Sequence, residues 1–242
     1  MKTIHISNDK DIQQTQDTVL VLGYFDGLHR GHQALFAEAR QIAAEKKLKI
    51  AVLTFPESPK LAFVRYQPDL LLHLNSPEER EQLLEAQGVD YLYLIDFTSC
   101  FAGNKAKDFF EKYVKKLKAR AVVAGFDYHF GSDKKEAKEL SQFFDGQIVI
   151  VSSVNQDEKK ISSTRIRQAI KEGRVADATK LLGYPLSTRG IVVHGNARGR
   201  TIGYPTANLA PLDRVFLPGD GVYVVEVEHN GERYKGMASV GK

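Results

Sequence analysis

The first two-thirds of the chain alternate two hydrophobic periods, and this restricts the fold more than any other feature. Thr18–Gly23 (TVLVLG), Leu48–Phe55 (LKIAVLTF), Val89–Ile95 (VDYLYLI), Ala121–Gly125 (AVVAG) and Gln147–Ser152 (QIVIVS) are short, mostly apolar and β-branched. That is the composition of buried strands. Between them, Gln33–Lys47, Pro77–Gln87, Lys105–Lys118 and Lys134–Phe144 carry apolar residues at helical spacing among charges. Ser76–Glu79 (SPEE) reads as a capping box with proline at the first helical position, the serine accepting from a backbone N–H and Glu79 reaching back. Strand, helix, strand repeated in this way predicts an α/β fold with a parallel sheet covered on both faces.

After Ser152 the pattern changes. Ile161–Gly173 (ISSTRIRQAIKEG) and Val175–Gly183 (VADATKLLG) read as two short helices, and from Leu186 onward the chain is β-like and glycine-rich. Asn230-Gly231, flanked by alternating apolar residues, is a strong hairpin signal. The expected division is an α/β domain over 1–184 and a strand-rich unit over 185–242. No flexible linker, internal repeat or low-complexity stretch separates them. A partial sheet exposes unpaired edges and encloses little core, so the second unit is expected to be an incomplete domain, from a truncated or cleaved chain or a fragment leaning on the first unit.

Charge narrows the class of partner. The 34 basic and 30 acidic residues leave a net charge of only +4. The densest basic stretch, Glu111–Arg120 (EKYVKKLKAR), has the spacing of the wet face of an amphipathic helix. Duplex nucleic acid is therefore not expected as a partner, whereas a phosphorylated small molecule needs only a local site. No apolar run approaches the roughly 18 residues of a membrane span, and the start of the chain lacks the apolar centre of a signal peptide. A cytoplasmic protein without membrane partners is expected, a monomer or weak oligomer. The single cysteine, Cys100, permits no intrachain disulfide and receives no role.

Leu22–Leu35 (LGYFDGLHRGHQAL) is the densest chemical signal. In parallel α/β sheets, ligands bind beyond the carboxyl ends of strands, where turns enter helices. Gly23 and Gly27 let the backbone approach a ligand, and the helix start near Gly31 offers N–H groups and positive dipole to a phosphate. His29 and His32 would project beside it and donate hydrogen bonds to phosphate oxygens whose charge grows in a transition state. A metal pair would need a third ligand cluster, which is not evident. A capping histidine with a solvated neighbour is the structural alternative. Neither of the common glycine-rich phosphate-binding signatures is present.

Two later stretches fit the same chemistry. At Ile161–Arg167 (ISSTRIR), Ser162, Ser163 and Thr164 suit an N-cap, and Arg165 and Arg167 follow in the first turn. Such a start suits a polyphosphate, and equally an ordinary capped surface helix. Ala124–Gly131 (AGFDYHFG) follows a strand: Asp127 could accept from a nucleotide hydroxyl or amine, and Tyr128 and Phe130 offer flat apolar surface, or else plug the core. Gly190–Pro211 (GIVVHGNARGRTIGYPTANLAP) reads as a glycine-rich loop between strands, able to wrap phosphates, or as a tight hairpin with solvated arginines.

The motif GYFDGLHRGH resembles the H-x-G-H signature of nucleotidyltransferases. Its full form is similar to the flavin adenylyltransferase module of bifunctional riboflavin kinase/FAD synthetases. The resemblance continues, in order, through LTFPESP (Leu53–Pro59), FTSCFAGNKAKDFF (Phe97–Phe110), AGFDYHFG, ISSTRIR and the glycine-rich segment. It implies a Rossmann-like nucleotidyltransferase domain followed by part of a β-barrel riboflavin kinase domain, with ATP and FMN or riboflavin as substrates, FAD as product and Mg²⁺ as cofactor. It further implies His29, His32 and Arg167 as catalytic, and Gly23, Tyr24, Phe25, Asp26, Gly31, Asp127, Ser163 and Thr164 as ATP-binding. Phe55, Tyr128 and Phe130 would contact flavin. In the kinase segment, Gly195, Gly199 and Gly203 would cover ATP, with Thr206 and Asn208 holding Mg²⁺. The family usually has a basic residue where His129 stands and often a histidine where Ser58 stands, two departures that bear on flavin affinity. The glutamate base of the family's kinase reaction lies beyond the residues present, so adenylylation of FMN without its synthesis is expected. The alternatives are an H-x-G-H transferase for another phosphorylated acceptor and a non-catalytic flavin or nucleotide carrier.

Overall fold

A six-stranded parallel sheet carries the first part of the chain. The computed structural model describes residues 1–195, 198–201 and 203–241. In chain order the elements are β1 (Lys2–Ile6), β2 (Thr18–Leu22), α1 (Arg30–Lys46), β3 (Lys49–Thr54), α2 (Pro77–Ala86), β4 (Tyr91–Ile95), α3 (Ser99–Ala102) and α4 (Ala106–Phe109). Then come β5 (Ala119–Gly125), the short pair β6 (His129–Phe130) and β7 (Lys135–Glu136), and β8 (Gln147–Val151). The sheet order is β1-β4-β3-β2-β5-β8. Five of these strands fall where β-branched runs predict them. The edge strand β1, paired along its length with β4, was not anticipated.

Alternate residues of each strand serve opposite faces. Leu20, Leu22, Ala51, Leu53, Tyr93 and Ile95 pack with Phe109, Phe110, Tyr113, Val114 and Leu117 on one side. On the other, Val19, Val21, Ile50, Val52, Leu92 and Leu94 pack with Leu35, Phe36, Ala39 and Ile42 of α1 and Leu84 of α2. From β2 the chain adds β3 and β4 on one side, and later β5 and β8 on the other. The β2/β5 junction is therefore the topological switch point, where parallel sheets open a ligand crevice at their carboxyl ends.

Two predicted helices take other forms. Lys105–Lys118 is realised as α4 followed by a π-helical turn, Phe110–Val114. The wider turn brings Phe109, Phe110, Tyr113 and Val114 all into the core. Lys134–Phe144 is not an α-helix: Lys134 is left-handed (φ 52°), Lys135–Glu136 pairs with β6, and Ala137–Gln142 is a 3₁₀ segment. Adjacent Phe143 and Phe144 both pack against Phe110, which a continuing α-helix would separate by about 100°. The capping box at Ser76 is half formed: its hydroxyl accepts from Glu79 N at 3.1 Å, but the Glu79 carboxylate accepts from Ser187 instead.

A small hairpin, β9 (Asn155–Gln156) and β10 (Lys159–Lys160), leads into α5 (Ser163–Lys171) and α6 (Val175–Leu182), which Gly183 ends in the left-handed conformation. Beyond it lie β11 (Gly190–Val193), α7 (Arg198–Thr201), β12 (Asn208–Pro211), β13 (Gly221–His229) and β14 (Glu232–Val240). Among the described residues these strands form two separate antiparallel pairs, β11 with β12 and β13 with β14, and no closed barrel. The predicted hairpin turn is present, with Asn230 at φ 54° and Gly231 at φ 81°. Asn196, Ala197 and Ile202 of the glycine-rich segment, and Lys242, lie outside the described residues.

Candidate functional site

The carboxyl ends of β2 and β5 open into a cleft of about 510 Å³. After Leu22 the chain turns sharply: Gly23 lies against the ring of Phe25, where a Cβ would come within 2.6 Å of Cζ. Phe25 adopts φ 57° and is buried, its ring edge-on to His32 at 5.3 Å. Thr54 Oγ1 donates to Tyr24 O at 2.8 Å and fixes the turn to the end of β3. Gly27, at φ 80°, has the Leu74 side chain against it, so neither its backbone conformation nor its space admits a side chain.

His29 is the N-cap of α1, with Nδ1 accepting from His32 N at 3.2 Å. In the neutral ring this leaves the proton on Nε2, which is then a donor. The His29 and His32 rings stack 3.6 Å apart, 15° from parallel. A Cβ on Gly31 would stand 3.1 Å from the His29 ring, which accounts for glycine between the histidines. Burial lowers the His29 pKa to about 4. Burial, with smaller contributions from His29 and Lys160, pushes His32 well below the usual imidazole value. Both are neutral at pH 7. His32 Nδ1 is buried without a hydrogen-bond partner.

Helix α5 starts on the opposite wall, with Ser162 as its N-cap accepting from Arg165 N at 3.3 Å. Ser163 Oγ donates to Asp26 O at 3.0 Å. Asp26, 2% exposed, accepts from Leu74 N at 2.8 Å and is ion-paired with Arg167. Two helix starts thus face one cleft, and first-turn N–H groups lack intrahelical partners. Lys60, Asp127, Lys160 and Arg167 are the charged residues among its described lining.

Most of the sequence-predicted residues meet here: Gly23, Tyr24, Phe25, His29, Gly31, His32, Phe55, Asp127, Tyr128, Ser163, Thr164 and Arg167 line the cleft. Asp26 lies behind it, joined to Arg167. Phe130 is outside it, 4% exposed in the core beside Phe110 and Phe143. Tyr128 stacks on Phe130 and still reaches the cleft, its burial raising the phenol pKa. Arg165 turns away and donates to the carbonyls of Gln156 and Lys159. The kinase-segment residues are elsewhere: Asn208 leaves no room for a Cβ on Gly195, a Cβ on Gly199 would meet the Tyr204 carbonyl oxygen and stand 3.3 Å from Thr206 Cγ2, and Gly203 takes φ 77°.

Two residues were missed by sequence reasoning. Lys160 donates to Asp127 at 2.5 Å and lies 4.5 Å from the centre of the Phe126 ring. Its position directly before ISSTRIR was the available signal. Buried Arg80 donates to Phe55 O at 3.0 Å and sits over Tyr24, bracing two strand-end turns. No local pattern marks an arginine on the wet-looking side of an amphipathic helix as buried.

A switch-point cleft with two helix starts and neutral histidines fits a nucleotidyltransferase of the α/β type. Family models described as FAD synthetase and riboflavin kinase match residues 11–165 and 182–242, respectively. Curated relatives named bifunctional riboflavin kinase/FMN adenylyltransferase are 42% identical in Listeria monocytogenes, 40% in Bacillus subtilis and 34% in Escherichia coli K12. Each alignment covers 100% of this chain and 78% of the relative. The chain belongs to the bifunctional riboflavin kinase/FMN adenylyltransferase family. A crystal structure from Streptococcus pneumoniae, described as a macrolide-efflux protein, is 58% identical with a TM-score of 0.96, over 99% of this chain and 79% of that one. Among the described residues here, no helix is long and apolar enough to cross a membrane.

Proposed function

We propose that the chain transfers AMP from ATP to FMN, forming FAD and releasing pyrophosphate. A phosphate oxygen of FMN bonds to the α-phosphorus of ATP as the bond from that phosphorus to the bridging oxygen of pyrophosphate breaks. The nucleophile is already an anion, so the reaction asks for alignment and charge stabilisation rather than a base. The observation that carries this reading is the stacked, neutral His29–His32 pair at the start of α1, facing the start of α5. Neutral imidazoles donate to phosphate oxygens without a proton having to be taken up first. In this reading His29 and His32 stabilise the α-phosphate and the leaving group, Ser163 and Thr164 hold phosphates, and Arg167 takes the β,γ end. Asp127 meets the nucleotide, and Phe55 and Tyr128 face the flavin.

Among the described residues, no group of three or more His, Cys, Asp or Glu is arranged to hold a metal. That donor set fits magnesium arriving on the ATP phosphates, as this ion commonly does, rather than one caged by protein. Bound there, Mg²⁺ would neutralise phosphate charge. In the kinase segment, the side-chain oxygens of Thr206 and Asn208 are donors of the type a hard cation takes. A cytoplasmic setting goes with ATP as substrate, and neither nucleic acid nor membrane enters the reaction.

The kinase segment is proposed to be inactive in this chain. Among the described residues its strands form two unconnected pairs, with Val222, Val224 and Met237 70%, 88% and 81% exposed. Such open sheets are a poor scaffold for aligning two substrates.

The test is chromatographic. Pure chain with ATP and Mg²⁺ is incubated with FMN and, separately, with riboflavin. FAD from FMN and no FMN from riboflavin is expected. Absence of FAD alongside calorimetric ATP binding would move the assignment to another acceptor, and FMN formed from riboflavin would overturn the inactive kinase.

A further inference from the structure

The stretch Asp213–Gly219, between β12 and β13, crosses back onto the α/β unit. His73 N donates to Arg214 O at 2.8 Å and Phe216 N to His73 O at 2.9 Å, so Val215 and His73 form a parallel bridge. Gly219 N donates to Ile170 O at 3.0 Å, tying the far end of the stretch to the end of α5. Val215 and Phe216 are buried, and Phe216 packs in one cluster with Leu74, Ile166 and Ile170.

This strap backs two residues of the cleft. The Phe216 ring centre lies 5.5 Å from the guanidinium carbon of Arg167, whose Nε is buried without a hydrogen-bond partner and whose Nη2 meets Asp26. On the other side, Arg214 is ion-paired with Glu57; Glu57 meets His73 Nε2 at 3.1 Å, and His73 Nδ1 meets the Tyr24 hydroxyl at 3.2 Å.

We propose that Phe216 is a positioning residue for the transfer reaction, its ring fixing the Arg167 guanidinium. The inference rests on the adenylyl-transfer reading. A flexible arginine has many rotamers to lose on meeting a phosphate. Asp26 restrains one edge of the guanidinium, and the ring adds cation–π attraction in a desolvated setting, where it is strongest. Phe216 lies within 182–242, the region matched by the riboflavin kinase model. One module thus supplies a supporting wall to the other module's site.

The experiment uses the full chain and measures kcat and KM for ATP and for FMN. Phe216→Leu keeps an apolar side chain and removes the ring, Phe216→Met serves the same purpose, and Phe216→Tyr keeps the ring. The leucine variant is expected to lose about tenfold in kcat/KM for ATP through KM, with KM for FMN unchanged. Phe216→Tyr should stay within about twofold of the parent. In an Arg167→Lys background, the leucine change should add less than about twofold, because the partner it positions is already altered. Equal losses in both backgrounds, or none in the parent, overturn the proposal. If the parent forms no FAD, the transferase reading fails first. Calorimetric ATP affinity then decides on Phe216 alone: about tenfold weaker binding by the leucine variant supports positioning, and unchanged binding overturns it.

Discussion

The α/β cleft and the later glycine-rich segment both carry glycines at turns, but they are built on opposite supports. In the cleft, glycines at 23, 27 and 31 are fixed by neighbours: the Phe25 ring, the Leu74 side chain and the His29 ring. The strands beneath are buried on both faces, and the histidines are desolvated enough to remain neutral. In the glycine-rich segment, Gly203 has nothing within 4 Å of a Cβ position, and β11 is exposed along its length. The contrast teaches that a glycine-rich turn is held in one geometry only where a core behind it removes its freedom.

Each side of this comparison can be broken. The largest effect is expected from replacing His29 and His32 together by alanine. Loss of donors aimed at developing charge costs about 10²–10³ in kcat for one group, and about 10³ or more is expected here. ATP affinity measured by calorimetry should change far less. A carrier, in contrast, would show no turnover to lose.

Acid should strike the cleft next. The folded His29 pKa lies near 4 against 6.5 in an exposed imidazole, so between these values the unfolded chain binds a proton the folded one refuses. Stability contributed by neutral His29 is fully present above pH 6.5 and is lost as pH falls toward 4. About 3 kcal/mol is the order of the effect. Urea unfolding midpoints at pH 7.5, 6, 5 and 4 read it directly. A flat profile would show that the imidazole is not buried in the neutral form. The two histidines should contribute no step to the activity profile near pH 6.5, since neither protonates there.

Core truncation sharpens the contrast in stability. Leu20, 0% exposed at the centre of the sheet, should cost about 2–5 kcal/mol when changed to alanine. Val224, 88% exposed on β13, should cost under about 0.5 kcal/mol for the same change. Denaturant titration of the two variants gives both numbers. A comparable loss at Val224 would mean that the face is covered in solution.

Much of the fold was legible because it is encoded locally. Five strands of the sheet, the caps at Ser76 and Ser162 and the Asn230-Gly231 turn follow from β-branched runs, hydroxyl residues before helices and a pair that tolerates positive φ. The failures have physical causes, some local and some distant in sequence. β1 carries only five residues of weak alternation, KTIHI. Lys134–Phe144 has helical spacing, yet Phe143 and Phe144 answer to Phe110, a partner distant in sequence. Phe130 looks available for flavin from its motif, and the same aromatic character draws it into the core.

The sequence by itself determined the α/β alternation, the placement of glycines and histidines at a strand-to-helix turn, and the hydroxyl-rich start of α5, since each depends on residues within a few positions. Only the tertiary structure decided that Arg167 would pair with Asp26, 141 positions earlier, that Lys160 would stand over Phe126 beside the histidines, and that Phe216 would lie against Arg167. Local periodicity fixes which face of an element is buried. It does not fix which distant side chain is buried against it, and the charges and pKa values of this site depend on that second choice.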